Sequence, residues 1–428
     1  SLLVVPVSRI SFALSTYDTQ SGSANPNGIF EADLYSDDEP VIGFRMDRIS
    51  YEHTRNINAH IDYKTRLKGG PFLQHLSFLP GYPLPSIYSV PKTSGGAADP
   101  AALLASGTHP ADGVLDIGDG RPHAIRIEVR DPYGNTSTLS FRVQYQPSAA
   151  GADQAEATGR QTPGEARPPV SAAGANSKKF YPGMVDGLEL PDCAFYLGEK
   201  SLYDSATIGS TVVGYPGSGL KPSKKASSDR TDIRALPGFG KFQKGNPRQK
   251  SLPGGVSSTF AIGEPWIPLL DPVLVRIRYT RPVPPDSMAD KGLASSVDHI
   301  VMVCFNGADR DIQRPEWRQG WASARFGEFG DFQLVDDRTP PVITPLQPLD
   351  NADLGRARRI AFSVKDDLGS IRDFRAELDG AWLCFTNDKA KAYIYTFDEH
   401  CPAGRHTLKV SVEDAAGNRT VKEYHFTR

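Results

Sequence analysis

Three polar residues in the first third of the chain have the types and spacing needed to bind a metal ion. They are His53, His60 and Asp62, and imidazole nitrogens and carboxylates are ligands that zinc accepts. Alternate side chains of a strand point to one face, so a strand over 60–62 would place His60 and Asp62 together. The alternative is a hydrogen-bond network at the surface or between domains. We favour the network and expect neither a metal nor another cofactor, which leaves these residues as weak candidates.

A basic stretch provides a second candidate site. Residues 219–252 carry nine Lys and Arg side chains and two Asp among many Gly, Pro and Ser residues. Such a cluster can contact phosphate groups or acidic glycans, although a solvated loop between strands has the same composition. The candidate contacts are Lys224, Lys225 and Arg230.

An aromatic run over residues 317–332 provides a third candidate site. Trp317 and Trp321 lie at its start. Aromatic rings can stack on sugars, and they also pack in protein cores and between modules. Both interpretations stay open, with the two Trp side chains as candidate glycan contacts.

The sequence offers no recognisable catalytic centre. It contains neither a G-x-S-x-G nucleophile elbow nor a phosphate-binding Walker loop, so we predict no catalytic residues. The formal net charge of -2 gives no general attraction to nucleic acid. A run of 18 apolar residues is absent, so the sequence predicts no transmembrane segment.

Four cysteines leave the redox environment open. No two of them form a C-x-x-C pair, which argues against a zinc ribbon or a thioredoxin-like site. Cys384 and Cys401 are close enough in sequence to meet across neighbouring strands. They are either a disulfide or two buried thiols that act as small apolar residues.

An internal repeat indicates the elements that carry these residues. Residues 123–136 read HAIRIEVRDPYGNT and residues 406–419 read HTLKVSVEDAAGNR. In both, apolar residues alternate along a strand and a D-x-x-G-N turn follows, in which Gly and Asn tolerate a positive φ. The match extends to RISFALSTYD at 9–18 and RIAFSVKDD at 359–367, and to FEADLY at 30–35 and FRAELD at 374–379.

Short strands in this order predict an all-β fold made of tandem immunoglobulin-like β-sandwich modules that flank a middle β-rich domain. The sandwiches should cover residues 1–147 and 338–428. Residues 148–178 have almost no large apolar side chains and read as a flexible linker. Residues 179–337 form the middle domain, with a basic loop at 215–258. The chain opens directly on apolar residues without an initiator Met, so we expect a fragment or mature portion of a longer protein.

Several long phrases are similar to a known family. FRMDRISYEHTRNINAHIDY at 44–63 resembles the region that follows the catalytic domain of lysostaphin-like (LytM-type) zinc peptidases of Bacteroidota, murein endopeptidases that cut peptide cross-links in peptidoglycan. Residues 26–35, 131–139, 377–390 and 395–418 also look similar to the C-terminal modules of that family.

The ligands that this family uses for zinc are missing. Its catalytic domain holds the ion with an H-x-x-x-D pair and an H-x-H pair, and neither motif occurs among the nine His of this chain. The peptidase domain either lies upstream or has been lost. The resemblance therefore implies non-catalytic binding or scaffolding modules, accessory to a peptidoglycan-directed peptidase or belonging to an outer-membrane-associated complex. The alternative is a cell-wall hydrolase whose centre is degenerate or lies outside this chain.

The same resemblance implies where the protein works and what it contacts. We expect a periplasmic or outer-membrane-associated location in the cell envelope. The expected partners are other envelope proteins or peptidoglycan, with no nucleic acid among them.

Overall fold

The structure is a computed structural model that describes residues 1–19, 26–83, 87–89, 112–147, 176–215, 251–279, 297–388 and 392–428. Within these residues β-strands dominate and helices are few. The fold is all-β, with immunoglobulin-like modules on both sides of a middle β-rich domain, as the sequence predicts. We call residues 1–147 the N-terminal module, 176–337 the middle domain and 338–428 the C-terminal module.

The N-terminal module contains one large sheet, several two-stranded pairs and a short helical segment. Its strands are β1 (Leu2–Val5), β2 (Arg9–Ile10), β3 (Ala13–Leu14), β4 (Asp18–Thr19), β5 (Pro26–Asn27), β6 (Glu31–Ser36), β7 (Glu39–Arg45), β8 (Gln74–His75), β9 (Tyr88–Ser89), β10 (Leu115–Asp116), β11 (His123–Arg130) and β12 (Thr136–Tyr145). Between β7 and β8 lie a 3-10 helix (Tyr51–Asn56), helix α1 (Ile57–His60) and helix α2 (Tyr63–Leu67). The six-stranded sheet has the order β1-β12-β11-β6-β7-β9.

The described part of the middle domain is a sandwich of two sheets. Its strands are β13 (Ser177–Phe180), β14 (Asp186–Glu189), β15 (Cys193–Leu197), β16 (Ala206–Gly214), β17 (Thr259–Ile262), β18 (Val273–Arg278), β19 (Ile300–Asn306), β20 (Asp309–Gln313), β21 (Glu316–Arg318), β22 (Trp321–Phe326) and β23 (Gly330–Asp336). The sheet orders are β13-β16-β17-β23-β19-β20 and β14-β15-β18-β22-β21. Side chains from both sheets, such as Phe195, Val275 and Phe332, meet in one buried core.

The C-terminal module is a smaller sandwich with its own core. Its strands are β24 (Val342–Pro345), β25 (Ala352–Asp353), β26 (Arg359–Lys365), β27 (Ile371–Leu378), β28 (Ala381–Leu383), β29 (Thr386–Asp388), β30 (Ala392–Thr396), β31 (Arg405–Asp414) and β32 (Arg419–Thr427). The sheets have the orders β24-β26-β30-β29 and β25-β32-β31-β27-β28. Phe362 and Val410 are among the side chains buried between them.

The repeat in the sequence is a repeat in the structure. In each terminal module the hairpin strands, β11 with β12 and β31 with β32, pair antiparallel, and β6 or β27 pairs with the first of them. A short strand, β1 or β25, runs parallel to the last hairpin strand. The two modules therefore share one sheet topology as well as one sequence pattern.

The D-x-x-G-N turn forms as its residue types predict. The Oδ1 of Asp131 accepts the backbone N–H groups of Tyr133 and Asn135, at 2.9 and 2.8 Å. Gly134 has a φ of 88°, a conformation that Gly adopts without steric cost. Gly417 has the same φ in the C-terminal module.

Residues 9–18 and 359–367 are similar in sequence but differ in secondary structure. Residues 359–365 form a continuous strand, β26, whereas the corresponding part of the N-terminal module yields two-residue strands. Outside the six-stranded sheet, the described strands of the N-terminal module form the pairs β10-β2, β3-β8 and β4-β5, whereas the C-terminal module has a four-stranded sheet.

Packed contacts join the middle domain to both neighbours. On the N-terminal side, the Tyr203 hydroxyl donates to Oδ1 of Asn56 at 2.8 Å, and the N–H of Gly81 donates to the Tyr203 carbonyl. On the C-terminal side, Leu368 and Ala416 share a buried apolar cluster with Leu252, Val301, Val303, Phe305 and Val335 of the middle domain.

The four cysteines are free thiols. Cys401 is buried, but Cys384 is exposed, so the expectation of two buried thiols is wrong for Cys384 because its loop lies on the surface. None of the helices in the described part of the chain has the length and apolar character needed to span a lipid bilayer.

Candidate binding cavity in the N-terminal module

The helical segment at residues 51–67 positions the first set of candidate residues. Asp62 caps α2, since its Oδ1 accepts the N–H of Thr65 at 2.9 Å and its Oδ2 accepts the Thr65 hydroxyl at 2.6 Å. His60 ends α1. Residues 60–62 thus do not form the strand that would have placed His60 and Asp62 on one face, because one helix ends at His60 and Asp62 caps the next.

His60 lies at the bottom of an aromatic cluster. It is completely buried, and its ring packs edge-on against Phe44 with 4.6 Å between the ring centroids. Its Nε2 faces Oε1 of Gln74 at 3.3 Å, and its Nδ1 lies 2.7 Å from the Tyr88 hydroxyl. Both ring nitrogens of His60 are therefore engaged within the protein. Burial lowers the pKa of His60 to about 4, so the ring is neutral at neutral pH.

A cavity of about 550 Å³ opens above this cluster. Its walls are mainly apolar, and several polar side chains stand among them. The lining residues are Met46, Arg48, Ile49, Ser50, His53, Thr54, Asn56, Ile57, His60, Tyr82 and Ile87. A volume of this size and a mostly apolar lining are typical of sites for small ligands or single peptide residues.

The mouth and the floor of the cavity differ in character. Ile49 and Ile57 are 49% and 40% exposed, and the exposed side chains of Arg48 and His53 stand beside them. At the floor, Asn56 and His60 are buried. A ligand would thus meet apolar surface and the Arg48 guanidinium first, and uncharged hydrogen-bonding groups deeper inside.

The contacts around the helical segment connect the cavity to the middle domain. Asn56, which lines the cavity, accepts the hydrogen bond from Tyr203. The ammonium groups of Lys64 and Lys68 lie 5.1 and 5.2 Å from the ring centroid of Trp266, a distance suited to cation–π attraction. The cavity therefore borders a junction between two bodies of the protein.

The structure does not bring His53, His60 and Asp62 together as one set of metal ligands. Both ring nitrogens of His60 and both carboxylate oxygens of Asp62 already have hydrogen-bond partners. His53 instead stands in the cavity wall. Among the described residues, the groups with metal-ligand spacing lie in or beside the C-terminal module and include none of these three.

The aromatic run divides between core and surface. Phe326, Phe329 and Phe332 are fully buried. Trp321 is half-buried, and the guanidinium groups of Arg276 and Arg278 lie 5.0 and 5.7 Å from its ring centroid.

Trp317 is also half-buried, and it packs edge-on against Tyr279 at 5.8 Å between centroids. Protein groups already occupy part of both Trp rings, which leaves less of each ring for a sugar. The basic candidates Lys224, Lys225 and Arg230 lie outside the described residues.

Sequence reasoning found His53 and His60 but missed the cavity that contains them. Its other lining residues come from the end of β7, the helical segment and the region around β9, and no local pattern connects these pieces. An acidic group near the last junction, Asp337, Asp366 and Asp367, was also missed. Adjacent Asp residues at strand ends, in VDD at 335–337 and KDD at 365–367, were a signal that could have drawn attention to it.

Comparisons with known proteins add no functional assignment. No protein-family model and no curated protein matches the sequence. Among solved structures, an endo-β-1,4-mannanase from Thermotoga petrophila is 12% identical with a TM-score of 0.19; the match covers 22% of this chain and only 20% of that chain.

Two further matches are equally distant. The fibronectin(III)-like modules of Clostridium thermocellum CbhA are 14% identical with a TM-score of 0.18, over 36% of this chain and 83% of that chain. SGBP-B of the Bacteroides ovatus mixed-linkage glucan utilization locus, solved with a heptasaccharide, is 10% identical with a TM-score of 0.14, over 100% of this chain and 65% of that chain. Similarity at this level carries no argument about function.

Proposed function

We propose that this chain is a non-catalytic binding and scaffolding region in the envelope of a Gram-negative bacterium, and that its cavity binds the peptide part of peptidoglycan. It would serve as the accessory region of a peptidoglycan-directed peptidase or as a subunit of an outer-membrane-associated complex. The observation that carries the proposal is an apolar cavity with the Arg48 guanidinium at its rim, at a packed junction between two bodies of the protein.

The composition of the cavity suits a short peptide with small apolar side chains and a free carboxylate. Met46, Ile49 and Ile57 offer apolar contact, and Arg48 at the rim can pair with an anionic group. His60 is the obvious candidate for a general base in the wall, but both of its nitrogens are engaged within the protein. The site is therefore built to hold a ligand and lacks an available base at its floor.

The junctions support the scaffolding part of the proposal. Domains that touch only through a linker move freely, whereas a shared apolar core restricts their motion. Here Leu368 and Ala416 of the C-terminal module share such a core with the middle domain. A hydrogen bond between Tyr203 and Asn56 joins the middle domain to the N-terminal module. A chain joined in this way can hold two partners at a set distance.

Calorimetric titration with purified, peptide-containing wall fragments tests the proposal. The variant Ile57→Trp fills the cavity mouth at a partly exposed position and should weaken binding at least about tenfold, an effect of about 1.4 kcal/mol or more. The matched control is Val185→Trp, at a position that is 73% exposed on the middle domain and should leave binding unchanged. Equal binding by both variants would rule out the cavity as the site.

Two further arms separate the alternatives. Glycan strands without peptides should not bind to the cavity, and binding by them that Ile57→Trp abolishes would overturn the choice of ligand. A zymogram on whole peptidoglycan should show no clearing by this chain. Lysis would instead establish the hydrolase that the sequence leaves as an alternative.

A further inference from the structure

Two polar groups in the buried part of the cavity wall have no hydrogen-bond partner among the described residues. Asn56 and Tyr82 both line the cavity, and only 6% and 7% of their surfaces are exposed. Oδ1 of Asn56 accepts the Tyr203 hydroxyl at 2.8 Å, so the Nδ2 amino group is the side left for the cavity. Buried polar groups are nearly always paired, so Nδ2 of Asn56 and the Tyr82 hydroxyl call for a ligand.

Both groups can donate a hydrogen bond. Burial raises the pKa of Tyr82, and the nearby Tyr203 acts in the same direction, so the Tyr82 hydroxyl keeps its proton at neutral pH. The amide Nδ2 of Asn56 is always a donor. The Tyr82 and Tyr203 ring centroids are 6.0 Å apart, and Tyr203 holds Asn56, so the two donors belong to one cluster.

The acceptors in the same part of the wall are already used. Oδ1 of Asn56 is bonded to Tyr203, and both ring nitrogens of His60 are engaged within the protein. The floor therefore offers an N–H and an O–H donor, with the Tyr82 oxygen as its remaining acceptor. A carbonyl oxygen only accepts and suits this arrangement, whereas every sugar hydroxyl also brings a proton that needs an acceptor.

The charge of the wall separates its two ends. His60 is neutral because burial lowers its pKa to about 4, so neither His60, Asn56 nor Tyr82 carries a charge at neutral pH. Arg48 stands at the exposed rim. A carboxylate at the floor would lose its solvation without gaining a counter-charge, which is costly. The uncharged floor therefore favours a neutral carbonyl, and a carboxylate would stay near Arg48.

We propose that Nδ2 of Asn56 and the Tyr82 hydroxyl together bind one amide carbonyl oxygen of a peptide, whose free carboxylate remains at the rim beside Arg48. A carbonyl oxygen has two lone pairs and can accept both hydrogen bonds. This inference rests on the proposed function, since it takes the cavity to be a peptide site. It adds the atoms that recognise the peptide and the direction in which the peptide enters.

The test compares two variants that each remove one hydroxyl group. Tyr82→Phe removes the donor in the cavity wall. Tyr51→Phe is the matched control, because Tyr51 belongs to the same helical segment but is 90% exposed. In calorimetric titration of the whole chain with peptide-containing wall fragments, Tyr82→Phe should weaken binding about 3- to 10-fold. Tyr51→Phe should bind as the unchanged chain does.

Thermal unfolding without ligand separates recognition from a structural role. The Tyr82 hydroxyl has no partner to lose among the described residues, so Tyr82→Phe should keep or raise the melting temperature. A second variant addresses the other donor. Asn56→Asp keeps an oxygen for Tyr203 but replaces the Nδ2 donor with an acceptor, and it should weaken binding at least about tenfold.

The outcomes distinguish this inference from the proposed function. If Ile57→Trp weakens binding but Tyr82→Phe or Asn56→Asp binds as Tyr51→Phe does, the cavity remains the site and this inference is wrong. A lower melting temperature of ligand-free Tyr82→Phe would assign the hydroxyl a structural role and would also overturn it. If the unchanged chain binds no wall fragment, both proposals fail together.

Discussion

The same D-x-x-G-N turn occurs in both terminal modules, in two different surroundings. In the N-terminal module it projects into solvent, and Tyr133 at its tip is 93% exposed. In the C-terminal module it is packed against the middle domain, where Asp414 is 0% and Asn418 6% exposed. In both places the Asn residue donates its backbone N–H and its Nδ2 to the Asp carboxylate.

This comparison shows that the local sequence determines the backbone geometry of the turn, whereas packing between domains determines its burial. The backbone geometry of the turn follows from Asp, Gly and Asn and needs no neighbour. Its burial follows from the domain beside it, because Nδ2 of Asn418 also donates to the Asp337 carbonyl at 2.9 Å. One motif therefore serves as a plain surface turn at one end of the chain and as a junction contact at the other.

The largest expected effect comes from removing the Asn side chain in each turn. Asn418→Ala should lower the free energy of unfolding of the C-terminal module by about 2–3 kcal/mol, because buried oxygens of Asp337 and Asp414 lose their donor. Asn135→Ala loses one exposed hydrogen bond and should cost about 0.5 kcal/mol. Urea unfolding measures the free energy lost in each variant, and hydrogen exchange of the hairpin amides shows which module has lost it. Equal costs would contradict the comparison.

The acidic group beside the buried turn should give an unusual pH dependence. The pKa of Asp337 is raised to about 6 in the folded chain, so the folded state binds more protons than the unfolded state between pH 4 and 6. Stability should therefore fall as the pH rises through this window. Between pH 4 and 6, the free energy of unfolding of the unchanged chain should fall by about 2 kcal/mol relative to that of Asp337→Asn. If this difference in unfolding free energy did not change with pH, the pKa of Asp337 would not be raised in the folded chain.

Substitution of the turn glycines should show where the motifs are alike. Gly134 and Gly417 both have a φ of 88°, so Ala at either position should cost about 1 kcal/mol through backbone strain. At Gly417 the added Cβ would lie 3.4 Å from Nη1 of Arg314, a distance that needs little adjustment. Chemical denaturation of the two variants measures the costs. A much larger cost at Gly417 would show that packing, rather than φ, controls that position.

The smallest effect concerns a histidine that opens the last hairpin. Nδ1 of His406 lies 2.7 Å from Oδ2 of Asp379, and this hydrogen bond helps to raise the pKa of His406 above its ordinary value although burial opposes the rise. The associated stability is fully present below the unfolded pKa and is lost as the pH rises through the folded pKa. Asp379→Asn should lower the pKa of His406 in an NMR titration and cost less than about 1 kcal/mol. An unchanged pKa would show that Asp379 does not hold the proton.

The strands and the repeat could be predicted because their cause is local. Alternation at Ile125, Ile127 and Val129 marks one face of β11, and the turn residues mark where β12 begins. Two copies of the pattern made the prediction of the module fold stronger than any single segment would have done.

The helical segment and the cavity could not be predicted in this way. Three residues of apparent alternation at 60–62 suggested a strand, but the cap that Asp62 provides to α2 determines the local structure. Burial of His60 depends on Phe44, Gln74 and Tyr88, which are 14 or more residues away in sequence. Contacts of this kind arise only when the chain has folded.

Asn56 takes part both in the cavity wall and in the contact with Tyr203. A ligand that displaces the Asn56 side chain must therefore alter how the N-terminal module sits on its neighbour. By thermodynamic reciprocity, a partner that tilts the two bodies would change the affinity for that ligand by the same factor. A single amide side chain would in this way couple the contents of the cavity to the geometry of the junction.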